Sequence, residues 1–177
     1  MLAREAAVAT VRRMAETVHL SLKANGNTID GESTQLDLDR EKTIECLSFR
    51  DSVRTARELG SRAAVGRRVH EPLEVVKRID ASSPLLAKAL CRNEKIEGTF
   101  RFYRPNPSGD GTTEHFFTVE ITDGRIDAIE RHSPSAIDPA SSKEPPLETV
   151  RFVYHSIRWV YEPSGAEYID RWSASDG

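Results

Sequence analysis

The stretch Pro146-Leu147-Glu148-Thr149-Val150-Arg151-Phe152-Val153-Tyr154-His155-Ser156-Ile157-Arg158-Trp159-Val160-Tyr161-Glu162 alternates like a β-strand and then changes phase. Its apolar residues fall first on even positions (Val150, Phe152, Tyr154) and then on odd ones (Ile157, Trp159, Tyr161). Strand side chains alternate between two faces, so a one-residue slip turns every later side chain to the opposite face. A bulge or bend is therefore expected at His155 and Ser156. The segment is well over twice the usual strand length of about 5 to 6 residues, which predicts a strand that passes from one sheet into another. Barrel or two-sheet sandwich architecture follows.

The rest of the chain extends this reading in both directions. Pro163-Ser164-Gly165 turns into a short last strand ending near Trp172, and residues 173–177 read as a frayed tail. Upstream, His132 to Pro146 is loop by composition. Glu114 to Thr122 sets His115, Phe117, Val119 and Ile121 on one face, Asp123-Gly124 reads as a turn, and Arg125 to Glu130 returns through Ile126 and Ala128. With Lys95 to Arg104, whose Ile96, Phe100 and Phe102 face inward, and the turn Asn106 to Gly111, this predicts a β-meander. Ser82-Ser83-Pro84 reads as a helix start, with Ser83 as N-cap and Pro84 in the first turn. The helix is expected to run to about Arg92, with Leu85, Leu86, Ala89 and Leu90 on its apolar face.

Val69 to Ile79 alternates through Leu73, Val75 and Ile79, and Pro72 confines its beginning to a sheet edge or a strand start. Thr43 to Arg50 is also strand-like. Thr17 to Lys23 alternates Val18, Leu20 and Leu22 against His19, Ser21 and Lys23, and Asn25-Gly26 suits a type I′ hairpin turn. Leu2 to Met14 is rich in helix formers but too short to hold a helix in water unaided. Translation from Met14 would make residues 1–13 an upstream N-terminal helical extension, leaving 14–172 as one domain.

At 177 residues the chain is the size of one domain, with 38% hydrophobic and 30% charged residues and a formal charge of -3. These totals describe a well-solvated globular surface, with no overall basic signal for nucleic acid and no apolar run long enough for membrane insertion or a cleaved signal. Cys46 and Cys91 lack CxxC spacing and are expected to be free, buried thiols.

Catalytic and metal motifs are thin. The five histidines (His19, His70, His115, His132, His155) form no HxxxH or HExxH spacing. Asp37-Leu38-Asp39 puts two carboxylates on one strand face but lacks the further oxygen ligands and glycine turn of a calcium loop. There is no GxSxG elbow, P-loop or GxGxxG, and Asn106-Pro107-Ser108 is barred from glycosylation by its proline. No catalytic residue, cofactor or metal site is assigned. The notable cluster is Arg50, Arg54, Arg57, Arg62, Arg67 and Arg68, set against only Asp51 and Glu58 in the same stretch. It reads as a projecting loop with strand at its ends. Arginine forks pair well with carboxylates at interfaces, and the acidic segment Asp30 to Glu41, with Asp37, Asp39 and Glu41, offers a complement. Unlike patches on one subunit permit head-to-tail contacts that close into rings.

His70-Glu71-Pro72-Leu73-Glu74-Val75-Val76-Lys77-Arg78-Ile79-Asp80-Ala81-Ser82-Ser83-Pro84, continuing to Ala89, resembles the central signature of the haemolysin-coregulated protein (Hcp) family. Leu147-Glu148, Val150, Tyr154, Ile157, Trp159 and Tyr161, then Asp170 and Trp172, form a second match in the same order. The resemblance spans about Ala15 to Trp172. It implies a compact, mainly β barrel with one short α-helix, like a phage tail tube, and six copies in a ring. It also implies stacked rings inside a contractile sheath of a type VI secretion system, tipped by a spike protein and carrying small effectors. No enzymatic activity belongs to that picture, and the protein is expected in the cytoplasm before firing and outside the cell after it. The family's long loop contacts a neighbouring subunit and corresponds in position to Arg50 to Val69, although its arginine density departs from the pattern. A different class of reading is a monomeric β-barrel binding module or small hydrolase with a pocket lined by His132 and Asp138.

Overall fold

Alternating apolar positions become strands along most of the chain. A computed structural model describes residues 16–57 and 64–171, with strands β1 (Thr17–Ala24), β2 (Asn27–Ile29), β3 (Ile44–Cys46), β4 (Ser48–Arg50), β5 (Val53–Arg57), β6 (Ala64–His70) and β7 (Leu73–Arg78). Helix α1 (Ser83–Cys91) follows, then β8 (Ile96–Pro105), β9 (Thr113–His132), β10 (Leu147–Val153), β11 (Ser156–Tyr161) and β12 (Ala166–Arg171). The expectations for residues 1–13 and 173–177, and for Trp172, lie outside the described residues.

The decisive segment behaves as its phase change predicts. β10 lies between β9 and β7 in one part of the sheet, and β11 lies between β9 and β12 in another. Tyr154 and His155 make the crossing. Tyr154 is 7% exposed and Ile157 1%, so the inward set changes from even to odd at the bend. A separate register shift sits earlier, between Arg151 and Phe152. The inward alternation fades along β11, where Trp159 is half-buried and Tyr161 is 39% exposed.

The partner strand bends with it, which corrects the expected meander. Asp123-Gly124 is not a reversal: β9 runs through it for 20 residues, pairing β11 by its first half and β10 by its second. Ser156 opposes Thr122 and Val153 opposes Arg125, so Asp123 and Gly124 sit across from the crossing residues. Asp123 takes φ +53 and pairs with Lys95. A Cβ on Gly124 would stand 2.9 Å from the Val153 carbonyl oxygen. The glycine that looked like a hairpin turn is instead what lets two strands approach at a corner. A third crossing divides the expected strand 43–50 at Leu47, whose amide donates to the Val76 carbonyl. β3 pairs with β1 and β4 with β7.

These crossings close the sheet. Its hydrogen-bonded order is β2-β1-β8-β9-β10-β7-β4, and β4 leads back through Leu47 to β3, which returns to β1. Leu20, Leu22, Val75, Phe100, Val119, Ile121, Val150 and Phe152 fill the interior, each at most 1% exposed. Burial of such side chains stabilises by about 1.5–3 kcal/mol each. The β1–β2 hairpin has positive φ at Asn25 and Gly26, as type I′ requires.

Four local expectations change. The inner face of β7 continues from Leu73 and Val75 to Lys77, while Ile79 is 47% exposed because the strand ends at Arg78. Lys77 Nζ donates to Glu148 Oε1 and Asp80 Oδ1, both at 2.7 Å, and Arg131 Nε reaches Glu148 Oε2 at 2.9 Å. Ser83 is not a helix cap. Its hydroxyl lies inside this charge cluster, accepting from the Asp80 amide and donating to Glu148, and the helix begins at Ser83 itself, so Pro84 still falls in the first turn. Leu86 and Ala89 are buried, but Leu85 is 41% exposed. Both cysteines are free, and only Cys46 is buried, with its thiol pushed up to about 12 by burial; Cys91 is exposed.

Replacing Gly124 with valine is expected to destabilise the barrel by roughly 1–3 kcal/mol, because the added carbons meet backbone at the corner. Urea unfolding checks this, and a midpoint equal to the parent's would show that the corner tolerates a side chain.

Candidate assembly surface

The arginine-rich stretch forms a separate two-stranded sheet, β5 with β6, as the expectation of strand at its ends anticipated. It leaves the barrel after β4 and rejoins it at β7. Six polar and aromatic groups hold its base. His70 Nε2 lies 2.8 Å from Asp170 Oδ2, and its Nδ1 lies 3.2 Å from the Tyr154 hydroxyl. The His70 ring stacks on Trp159 at 6.1 Å, and Trp159 Nε1 donates to Asp51 Oδ2 at 2.7 Å. Arg68 grips Asp170 with two nitrogens and donates to the Arg171 carbonyl at 3.1 Å.

Electrostatics favour this arrangement. The Arg68 guanidinium, followed by His70, holds the Asp170 carboxyl below the usual carboxylate range. Burial raises the Tyr154 hydroxyl, keeping it neutral as a hydrogen-bonding group. Bidentate arginine–carboxylate pairing of this kind fixes orientation as well as adding energy.

The predicted interface arginines divide accordingly. Arg68 turns to the barrel. Arg50 and Arg54 are mostly exposed, with side chains 69% and 62% accessible, and both approach Glu71 at 3.6 and 3.2 Å. Arg57 lies on β5 and Arg67 on β6, and Arg62 lies outside the described residues.

The acidic segment follows its own course. Residues 31–33 and 42–43 bond to each other through backbone groups, so 34–41 form the tip of a strap. The strap lies over the outer face of β1 and β8: Tyr103 donates to the Leu38 carbonyl at 2.7 Å, and Arg40 sits 4.8 Å above the Tyr103 ring. Asp37 accepts from Arg40 at 2.6 Å, which lowers its carboxyl below the usual range. Asp37, Asp39 and Glu41 are exposed. Among the described residues, neither Arg50 nor Arg54 is paired with any of the three. Among the described residues, Arg50 and Arg54 therefore do not neutralise the acidic tip of the strap.

His115 is not on the inner face as expected. The register shift between Phe102 and Tyr103 sets it opposite Tyr103 on the outside, where its Nε2 lies 2.8 Å from Thr118 Oγ1. His132 and Asp138 are both exposed, and Asp138 accepts from the Ala140 amide in its own turn. No bond joins them among the described residues.

Residues 21–161 match the family model described as "Type VI secretion system effector, Hcp". The chain belongs to the Hcp family. It is 31% identical over 152 residues to the "Major exported protein" of Pseudomonas aeruginosa, covering 85% of this chain and 87% of that one. Its fold resembles a crystal structure of an Hcp protein, with a TM-score of 0.79 at 24% identity over 90% of this chain and 99% of that one. It also resembles the Hcp1 protein of E. coli EAEC 042, with a TM-score of 0.78 at 24% identity over 90% of this chain and all of that one.

Within this Hcp fold, the two sequence signatures that flagged the family are in physical contact, since His70 from the first meets Tyr154, Trp159 and Asp170 from the second. Sequence reasoning missed Asp51 and Glu71 as partners, because isolated carboxylates carry no spacing signal. Among the described residues, no helix is long and apolar enough to cross a membrane.

Replacing Asp170 with asparagine is expected to loosen β5 and β6 by about 1–3 kcal/mol of local stability, the cost of weakening the bonds from Arg68 and His70, while the barrel stays folded. Hydrogen exchange of the two strands checks this; equal protection in variant and parent would remove Asp170 as the anchor. In the parent the anchor is expected to persist at neutral pH and to fail only as pH falls through the lowered Asp170 pKa.

Proposed function

We propose that this Hcp chain is a structural subunit of the type VI secretion inner tube, with six copies closing into a ring and rings stacking into a hollow conduit. The observation that carries this reading is the pair of unlike exposed surfaces, Arg50 and Arg54 at the hairpin and Asp37, Asp39 and Glu41 on the strap, which do not pair within one chain. Such patches satisfy each other between copies in a heterologous contact, and a closing rotation yields a ring. Arg57, Arg62, Arg67 and Arg68 belong to the same basic stretch, Arg68 as the residue that orients it.

The outer faces of the barrel suit a wall. Arg151 bonds Glu74 and Glu130, both at 2.8 Å, and Arg158 bonds Glu120 at 2.9 Å as well as Glu167. Exposed pairs like these add little stability, but they leave a charge-matched surface for a lumen or a neighbour, so Arg151, Arg158 and the exposed His155 need no catalytic role. In this reading the tube sits inside a contractile sheath, is capped by a spike protein and takes small effectors into its lumen. In the same reading the protein waits in the cytoplasm and is then exported, in keeping with the name of its Pseudomonas relative.

Mass photometry of the purified protein at micromolar concentration is expected to find hexamers, and negative-stain images to show rings. A strictly monomeric particle would count heavily against the tube. Changing Arg54, Arg57, Arg62 and Arg67 together to glutamate is expected to abolish the ring while leaving the far-ultraviolet circular dichroism of the monomer unchanged; intact hexamers would remove the hairpin from the interface.

A further inference from the structure

His19 is the least expected buried group in the barrel. It lies on the outward face of β1, yet it is 1% exposed, because the strap covers it. Its hydrogen bonds fix its tautomer. Thr43 Oγ1 donates to the Arg40 carbonyl at 2.6 Å, so it must accept from His19, 2.8 Å away, and the ring proton sits on Nδ1. Nε2 then carries a buried lone pair and has no hydrogen-bond partner among the described residues.

We propose that His19 is an acid-sensitive latch on the strap of residues 31–43, so that protonating its ring loosens the acidic segment and with it the subunit contact assigned to Asp37, Asp39 and Glu41. A second proton can go only to Nε2, which faces no acceptor, and the cation would be sealed from water. The surroundings do not welcome it. From the strap come Thr43 and the Arg40 guanidinium, itself paired with Asp37. From β8 come Arg101, directly across from His19, and the Tyr103 ring at 5.5 Å; beyond Tyr103 on β9 stands His115. From β3 comes Glu45, the single carboxylate among its cross-strand neighbours, and it is exposed.

Burial, then Arg40, lowers the His19 pKa from 6.5 to about 4. An uncovered imidazole takes its proton near the ordinary value, whereas the covered one resists until much lower pH. The closed strap therefore holds its full advantage above the ordinary value and loses it progressively as pH falls toward about 4. The latch stands on the strap geometry alone; its effect on assembly rests on the subunit contact proposed above.

Hydrogen exchange, expressed as protection factors relative to the core strands, tests the latch on the full chain. Protection of the strap amides, including Gly31, Ser33, Lys42 and Thr43, is expected to fall by on the order of 10- to 100-fold between about pH 7 and about pH 4.5, because closing must exclude the second proton. His19→Phe keeps the ring's bulk and every carboxylate but cannot titrate, so its strap is expected to stay protected over that range. His19→Asn, which retains a donor for Thr43, is the second variant should the larger ring disturb folding, and an NMR titration of the His19 ring in the parent reads the proton directly. Strap protection that follows the core in the parent, an equal loss in the non-titrating variants, or a His19 ring that titrates at its ordinary value would each overturn the latch. Mass photometry over the same range then separates the two proposals: parent rings are expected to dissociate at higher pH than His19→Phe rings, equal dissociation would overturn the link to assembly, and an absence of rings at every pH would defeat the tube reading while the exchange data still decide the latch.

Discussion

Two strands must bend at the same level for this barrel to exist. β9 turns its course at Asp123 and Gly124, and the chain opposite turns at Tyr154 and His155. Because hydrogen-bond partners continue on both sides of the corner, neither strand can straighten without breaking the ladder of the other. The missing side chain at Gly124 permits the close approach to the Val153 carbonyl. The Leu47 crossing completes the enclosure, so the helix, the hairpin and the strap are all fastened to one closed frame.

Polar groups help fasten each of those additions. Lys77, Asp80, Ser83, Glu148 and Arg131 tie β7, β9, β10 and the helix start together. Glu148 is 1% exposed and Lys77 is wholly buried, so each depends on the other's charge. Breaking such a buried pair from one side typically costs about 3–5 kcal/mol. The same logic holds the hairpin at Asp170 and the strap at Arg40 and Tyr103. In each case a charged or aromatic side chain brings a polar segment onto the barrel, and the exposed charges of Arg50, Arg54 and the strap carboxylates face outward.

Strand identity was legible wherever one face is buried and the other wet, because that environment writes a period of two into the sequence. The crossing at Tyr154 was legible for the same reason, as a change of phase. The reading failed where one residue type serves two geometries. Asp123-Gly124 has turn composition, yet the positive φ of Asp123 and the close approach at Gly124 serve a bent, continuous strand. Ser83 was misplaced and the buried Lys77 went unassigned, because burial of a polar residue depends on partners as much as 71 positions away. His115 moved to the outer face through a bulge that leaves no mark on local alternation.

By itself the sequence determined the β architecture, the helix that follows Ser82, the arginine-rich and acidic segments, and the two signatures of the Hcp family. These are properties of local periodicity, composition and residue order, which short windows contain. Only the tertiary structure decided that His70, Tyr154, Trp159 and Asp170 form one anchor, that Arg68 faces the barrel while Arg50 and Arg54 face solvent, and that the acidic segment is a strap over His19. Contacts between residues as much as 108 positions apart decide those outcomes, and they exist only where the corners at Gly124, Tyr154 and Leu47 close the sheet.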